Sequence, residues 1–353
     1  MRRNLRRGAL LSGVTLVLTA LVAMPARAAS CTFSGGVLSI SSPSTESITL
    51  QVLGDGSNRI LVNGIDTLAA CGPPQVATTS NTTTVNIAGD MNDQTVTVFL
   101  YDTVGATISW GTIDWTVALG GQLFSDLLAF DNSGGDLPIH VVLGAAGIDL
   151  NADGNLDVVT SSVESFMVNG GPGDDIISAS GDATTGTLLG TVLTANTNDG
   201  NDAIIGGNGN DILNGGADAD TIEGGLGDDW LEGGIGATLF TDEDLVDFSG
   251  ASNPESVNLT NGTAVGQGLD VVFNFEKVIG SNQNDTLIGN GEANRFLGGK
   301  GADVLSGLAG DDFLNGGQGK DSVDGGDNTD TCVHGGDSFA SCELFAGGGP
   351  GSS

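Results

Sequence analysis

The sequence predicts an all-β chain, a parallel β-solenoid of nonapeptide repeats preceded by a strand-rich N-terminal β region. Three observations carry this expectation. Residues 206–232 read GGNGNDILN, GGADADTIE and GGLGDDWLE, three nonapeptides in one register. Glycine supplies 59 of 353 residues while aromatics make up 5%, and high glycine with a strict period marks a repeat architecture. Residues 29–168 carry short runs of alternating apolar and polar residues, punctuated by Gly, Asn and Asp, which is the pattern of short strands joined by tight turns. A hydrophobic fraction of 39% argues against a disordered acidic chain.

Residues 1–28 read as a signal peptide. Arg2, Arg3, Arg6 and Arg7 form a charged start, Ala9 to Met24 an apolar run, and Ala26-Arg27-Ala28 a cleavage site, with the mature chain starting near Ala29. The apolar run is short for a membrane-spanning helix, and no second run of about 18 residues follows. The expectation is a secreted, soluble protein. Loss of the leader leaves Arg59, Lys277, Arg295, Lys300 and Lys320 against 44 acidic residues, five minus 44 or a net charge of −39. Such a surface repels nucleic acid and anionic membranes and attracts cations.

Residues 29–168 form a strand-rich β domain, either solenoid-like or a sandwich. Its strand runs include Val37 to Ser41, Ser47 to Val52, Arg59 to Val62 and Thr95 to Leu100. The stretch from Gly54 to Val62 echoes the nonapeptide, with Arg59 where the aspartate would stand, so it can hold no cation. Trp110, Trp115, Phe124 and Phe130 either stack on sugar rings or fill the core. The segment from Asp149 to Asp157 places oxygen side chains at alternate positions, Asp149, Asn151 and Asp153, with Gly154 at the sixth. That is the first half of an EF-hand-type calcium loop, although Thr160 stands where the closing glutamate would be. A solvated polar turn is the alternative.

A first repeat block spans 169–236. It opens on GGPGDDIIS at 170–178, passes an insert and continues in tandem from Thr197. A β spacer at 237–279 contains three strand-like runs, around Val246, Val257 and Val271. The second block, 280–344, steps by nine from Gly280 to Val333. Its sixth positions are Asp285, Asn294, Asp303, Asp312, Asp321 and Asp330, and its eighth positions are Leu287, Phe296, Leu305, Leu314, Val323 and Cys332. Residues 345–353 read as a flexible tail. The cysteines fall in two sequence-local pairs, Cys31 with Cys71 and Cys332 with Cys342. In an oxidising compartment these staple the solenoid ends as disulfides, with three connectivities open on sequence alone. A zinc site is the alternative, but there is no CxxC and the only histidines are His140 and His334.

The nonapeptide itself points to a hard cation. Glycines at positions one, two and four permit tight turns that bring carbonyls together. The aspartate at six adds a carboxylate, and residues seven to nine form a short strand whose eighth side chain points inward. Two nonapeptides make one coil, so Asp202 and Asp220 stack on one edge and Asp211 and Asp229 on the other. Successive carboxylates then lie about 5 Å apart and repel one another unless a cation intervenes. Calcium suits such oxygen ligands better than magnesium, which keeps its waters and demands octahedral geometry.

These units resemble the RTX, or hemolysin-type, calcium-binding repeat GGxGxDxUx, directly over 170–178, 197–236 and 280–333. The resemblance implies a parallel β-roll, several bound Ca²⁺ ions, and ligation by Asp175, Asp202, Asp211, Asp220, Asp229, Asp285, Asp303, Asp312, Asp321 and Asp330 together with turn carbonyls. Asn294 departs from the pattern and implies a weaker site, and Asp218 replaces a fourth-position glycine. Export through an uncleaved C-terminal signal, common in the family, is not carried over, because this chain has an N-terminal leader and a C-terminal cysteine pair. The functional expectation is a secreted, bacterial-type calcium-binding module with a structural or interaction role, its partner at a cell surface or on a polysaccharide. An enzyme acting on polysaccharide in residues 29–168 is the alternative. No HExxH or GxSxG motif is present, and Arg59 and Tyr101 are the only candidate bases of the lyase type in that half. Membrane insertion finds no suitable segment in the mature chain.

Overall fold

In this computed structural model the described residues are the strands and Ala77 before residue 127, then 127–135, 137–150, 158–161, 163–183, 185–187, 189–234, 243–333 and 338–346. Residues 1–29 and 347–353 lie outside them. Among the described residues there is no helix, and the strands form two sheets of 16 strands each.

The repeats explain how the chain moves between these sheets. Strand Ala203–Gly207 lies in one sheet, Ile212–Ala217 in the other, Thr221–Gly225 back in the first and Trp230–Gly234 in the second. Pairing is parallel with a step of 18 residues: Ala203 opposite Thr221, and Ile212 opposite Trp230. Two nonapeptides therefore make one coil of a β-roll. The period-two alternation of a strand sends the eighth side chain inward. Leu213, Ile222, Leu231, Leu287, Leu314 and Cys332 are fully buried, and Phe296, Leu305 and Val323 nearly so.

The N-terminal strands join the same two sheets. Val37 pairs with Thr84 and Thr84 with Asp114, parallel steps of 47 and 30 residues. In the other sheet Thr95 pairs with Leu127 and Leu127 with Ser165, steps of 32 and 38. These are long coils of a solenoid, whereas a sandwich would pair its strands antiparallel. Antiparallel pairing appears at the N-terminal end, where Ser30–Ser34 runs against Val37–Ser41 and Ile48–Val52 against Ile60–Val62. Each long coil buries two large side chains per strand, such as Leu38 with Ile40 and Leu128 with Phe130. Phe130 is thus a core residue. Trp115 lies in strand Asp114–Ala118, and Trp110 and Phe124 lie outside the described residues.

The spacer differs from its sequence pattern. It contributes five strands, Leu245–Asp247, Ser256–Asn258, Thr263–Val265, Leu269–Phe273 and Lys277–Ile279. Thr263–Val265 is antiparallel to both of its neighbours. An inserted strand of three residues is too short to show an alternating pattern. It keeps the sheet continuous, because Leu269–Phe273 pairs back to Trp230–Gly234 and Ser256–Asn258 pairs on to Thr286–Ile288.

At the C-terminal end Cys332 occupies the inward slot of the last nonapeptide and is disulfide-bonded to Cys342. Cys31 is also disulfide-bonded, and Cys71 lies outside the described residues. The segment read as tail from 345 is corrected at its start: Leu344–Ala346 is a strand paired with Thr331–Val333. Pairing with an exposed sheet edge outweighs the loop-like composition that follows.

Candidate metal centre

Each sixth-position aspartate sits where a turn enters a strand, and each is buried. Asp175, Asp202, Asp211, Asp220, Asp229, Asp285, Asp303, Asp312, Asp321 and Asp330 are all at most 3% exposed. Their Oδ1 atoms form a ladder. The backbone N–H of Asp202 donates to Asp220 Oδ1 at 2.8 Å, that of Asp211 to Asp229 at 2.8 Å, that of Asp303 to Asp321 at 2.9 Å and that of Asp312 to Asp330 at 2.9 Å. One oxygen of each carboxylate is therefore spent on holding the neighbouring coil.

The second oxygen divides the turns into two kinds. In the closed kind, the amide four residues earlier donates to it: Gly171 to Asp175 Oδ2 at 2.9 Å, and Ser281 to Asp285 Oδ2 at 2.6 Å. Asn294 closes its turn likewise, through Asn290 at 2.9 Å, and its Nδ2 is left without a partner. In the open kind, Oδ2 of Asp211, Asp229, Asp312 and Asp330 is buried with no hydrogen-bond partner among the described residues. A buried, unpaired carboxylate oxygen is costly.

The open oxygen faces a cradle made by the first glycine of its repeat. A Cβ on Gly206 would lie 2.5 Å from Asp211 Oδ2 and would strike the carbonyl of Gly224, one coil on. Gly307 and Gly325 hold the same place over Asp312 and Asp330. Carboxylate and carbonyl oxygens therefore converge on space that any side chain would fill. Among the described residues no three His, Cys, Asp or Glu side chains converge on one point. Backbone carbonyls must complete any coordination sphere. An all-oxygen donor set of this kind fits a hard cation and excludes soft-metal chemistry.

Burial also raises the carboxylate pKa values. Asp211 is pushed up to about 7 by desolvation, with the Leu193 amide opposing and the Asp229 charge adding. Asp312 is pushed up to about 6 by desolvation, against the Asn294 amide and with the Asp330 and Asp311 charges adding. Without a cation, these groups hold protons close to neutral pH.

Two departures from the repeat have a visible cost. Asp218 stands at the fourth position with φ +74°, and Leu308 at the second with φ +77°, both in the left-handed region that favours glycine. The EF-hand-like segment is only partly visible. Asp149 is buried at the end of strand Gly147–Asp149, and Asn151 and Asp153 lie outside the described residues.

The ladder also recruits acids that lie in no nonapeptide. Asp244 accepts from the Asp220 amide at 2.8 Å, Glu276 from Asp244 at 2.9 Å, Asp270 from Asp229 at 3.0 Å and Glu343 from Asp330 at 2.8 Å. Glu255 takes the equivalent place above Asp285, donating its amide to Asp285 Oδ1 at 2.7 Å. These acids lack the Gly-Gly opening that announces a repeat. The signal they keep is an acid two residues before an inward apolar residue, as in Asp244 with Val246 and Asp270 with Val272.

The model of the RTX calcium-binding nonapeptide repeat (4 copies) matches residues 196–231, 276–305 and 297–332. The chain carries RTX calcium-binding repeats. A search of characterised proteins found no match. The matched RTX segments contain the open turns of Asp211, Asp229, Asp312 and Asp330, so the oxygens left without partners belong to the repeats known to bind calcium. Calcium there would supply the positive charge that the buried carboxylates lack. Asp211, Asp229, Asp312 and Asp330 would hold it, with Gly206, Gly307 and Gly325 leaving the space free.

Proposed function

We propose that this protein is secreted and that its β-roll folds on binding Ca²⁺ outside the cell, serving as a structural or interaction module without catalysis. The observation that carries the reading is the set of buried Oδ2 atoms, those of Asp211, Asp229, Asp312 and Asp330, that face a glycine cradle and have no hydrogen-bond partner among the described residues. At low calcium the desolvation of the buried carboxylates opposes folding, and at the millimolar levels outside cells the ions relieve it. A site at a free calcium concentration ten times its Kd stabilises the native state by roughly 1.4 kcal/mol, and several such sites approach the stability of a domain. The leader-like residues 1–28 and the Cys332–Cys342 disulfide agree with an oxidising, extracellular setting.

The rival reading, a polysaccharide-active enzyme in residues 29–168, has no catalytic motif behind it. Arg59 lies outside the described residues, and Tyr101 lies in strand Thr95–Asp102. A cell-surface or polysaccharide partner remains compatible with the binding role, while the acidic surface disfavours nucleic acid. Circular dichroism with calcium and with EDTA tests the proposal. A marked gain of β signal with calcium is expected, and identical spectra would reject calcium-linked folding.

A further inference from the structure

We propose a divalent-cation site in the spacer, built by Glu255 and Asp270 with backbone carbonyls of the 266–268 turn, that takes calcium between the two repeat blocks. It rests on the calcium reading of the repeats but lies outside every matched segment, which end at 231 and resume at 276.

Glu255 is 1% exposed, and among the described residues neither of its carboxylate oxygens has a hydrogen-bond partner of good geometry. The Gln267 backbone amide faces the Glu255 carboxylate and opposes in part the rise in pKa that desolvation and the Asp270 charge impose on it. Every other acid on the ladder places at least one oxygen on the amide of a neighbouring coil. Beside Glu255 the neighbouring strand, Thr263–Val265, is antiparallel and presents a hairpin turn in place of an in-register coil. In that turn Gly266 donates its N–H to the Gly268 carbonyl at 3.2 Å, and Asn253 Nδ2 donates to the Gly266 carbonyl at 3.2 Å. A Cβ on Gly266 would collide with both Glu255 oxygens. Gly266 thus lies against Glu255 as the first glycine of a repeat lies against its aspartate, without a nonapeptide pattern around it.

The charged neighbours of Glu255 among the described residues, Asp270 and Asp285, are both acidic. Asp270 is 2% exposed, and its charge weighs on Glu255. A Cβ on Gly268 would lie 3.0 Å from Asp270 Oδ1 and would strike the Gly227 carbonyl of the first block. The Glu255 amide is bonded to Asp285 of the second block. The site therefore touches both blocks, and an ion there would make them one ladder. Two buried carboxylates, of which only Asp270 has an oxygen placed on a neighbouring coil's amide, beside backbone carbonyls call for a hard cation.

The test counts ions by native mass spectrometry on the whole protein with saturating calcium, for the wild type, Glu255→Gln, Asp270→Asn and the double variant. The expected result is one ion fewer in each, including the double variant, because both side chains serve one site. An unchanged count in Glu255→Gln, or two ions lost in the double variant, would overturn the proposal. Gly266→Ala, which fills the cradle while keeping both carboxylates, should also lose one ion; retention of the full count by a folded Gly266→Ala protein counts against the site. A wild type that binds no calcium would instead reject the reading of the repeats themselves.

Discussion

The long coils of residues 37–131 and the short coils of residues 203–331 share two sheets but fill them differently. A long-coil strand sends two large apolar side chains inward, as Leu38 and Ile40 or Val96 and Val98 do. A short-coil strand sends one, and its next inward position is a glycine beside a buried aspartate, as in Ile222 with Gly224 and Asp229. Burial of a Leu or Ile side chain contributes about 1.5–3 kcal/mol, so the long coils hold themselves together. The short coils exchange half of that apolar content for carboxylates that are unfavourable until a cation arrives. On the calcium-linked folding proposed above, one architecture is made self-sufficient or conditional by changing a single inward position per strand.

The largest effect that would break this comparison is the response to calcium removal. In EDTA, amide hydrogen exchange should lose protection across 203–331 and keep it across 37–131. A uniform loss over both regions would show that the distinction is false. Next comes core truncation. Leu213→Ala and Leu38→Ala should each cost about 2–5 kcal/mol with calcium present. Only Leu213→Ala should also weaken calcium affinity, as read by urea melts at several calcium concentrations.

A pH series sharpens the contrast further. The pKa values of Asp211 and Asp270 rise to about 7 in the folded protein, driven mainly by desolvation, from an ordinary carboxylate value near 4. The folded state then binds more protons than the unfolded one between about pH 4 and 7, so calcium-free stability falls as pH rises through that window. Thermal melts without calcium should give a higher Tm at pH 5 than at pH 8, and saturating calcium should reverse the order. Smallest of all, Asp218→Gly should stabilise the roll by up to about 1 kcal/mol by relieving a positive φ. A decrease in Tm would indicate that the Asp218 side chain has a role of its own.

Much of the site was legible residue by residue. The nonapeptide period located the inward aliphatics and the sixth-position aspartates, because both follow from a strand alternation of two and a coil of 18. The closed turns were hidden. Nothing in the letters of Asp175 or Asp285 tells that a preceding amide already occupies Oδ2. Asp244, Asp270 and Glu276 were missed because they join the ladder without glycine pairs, their alignment coming from strand pairing across 24 to 41 residues.

The sequence alone determined the β-roll, its calcium chemistry and its interrupted blocks, since a local repeat encodes turn, carboxylate and inward residue within nine positions. Only the tertiary structure decided that residues 37–131 continue the same two sheets, and which carboxylates keep an oxygen free. Both depend on which coil lies next to which, and stacking brings together residues that no short window of sequence contains.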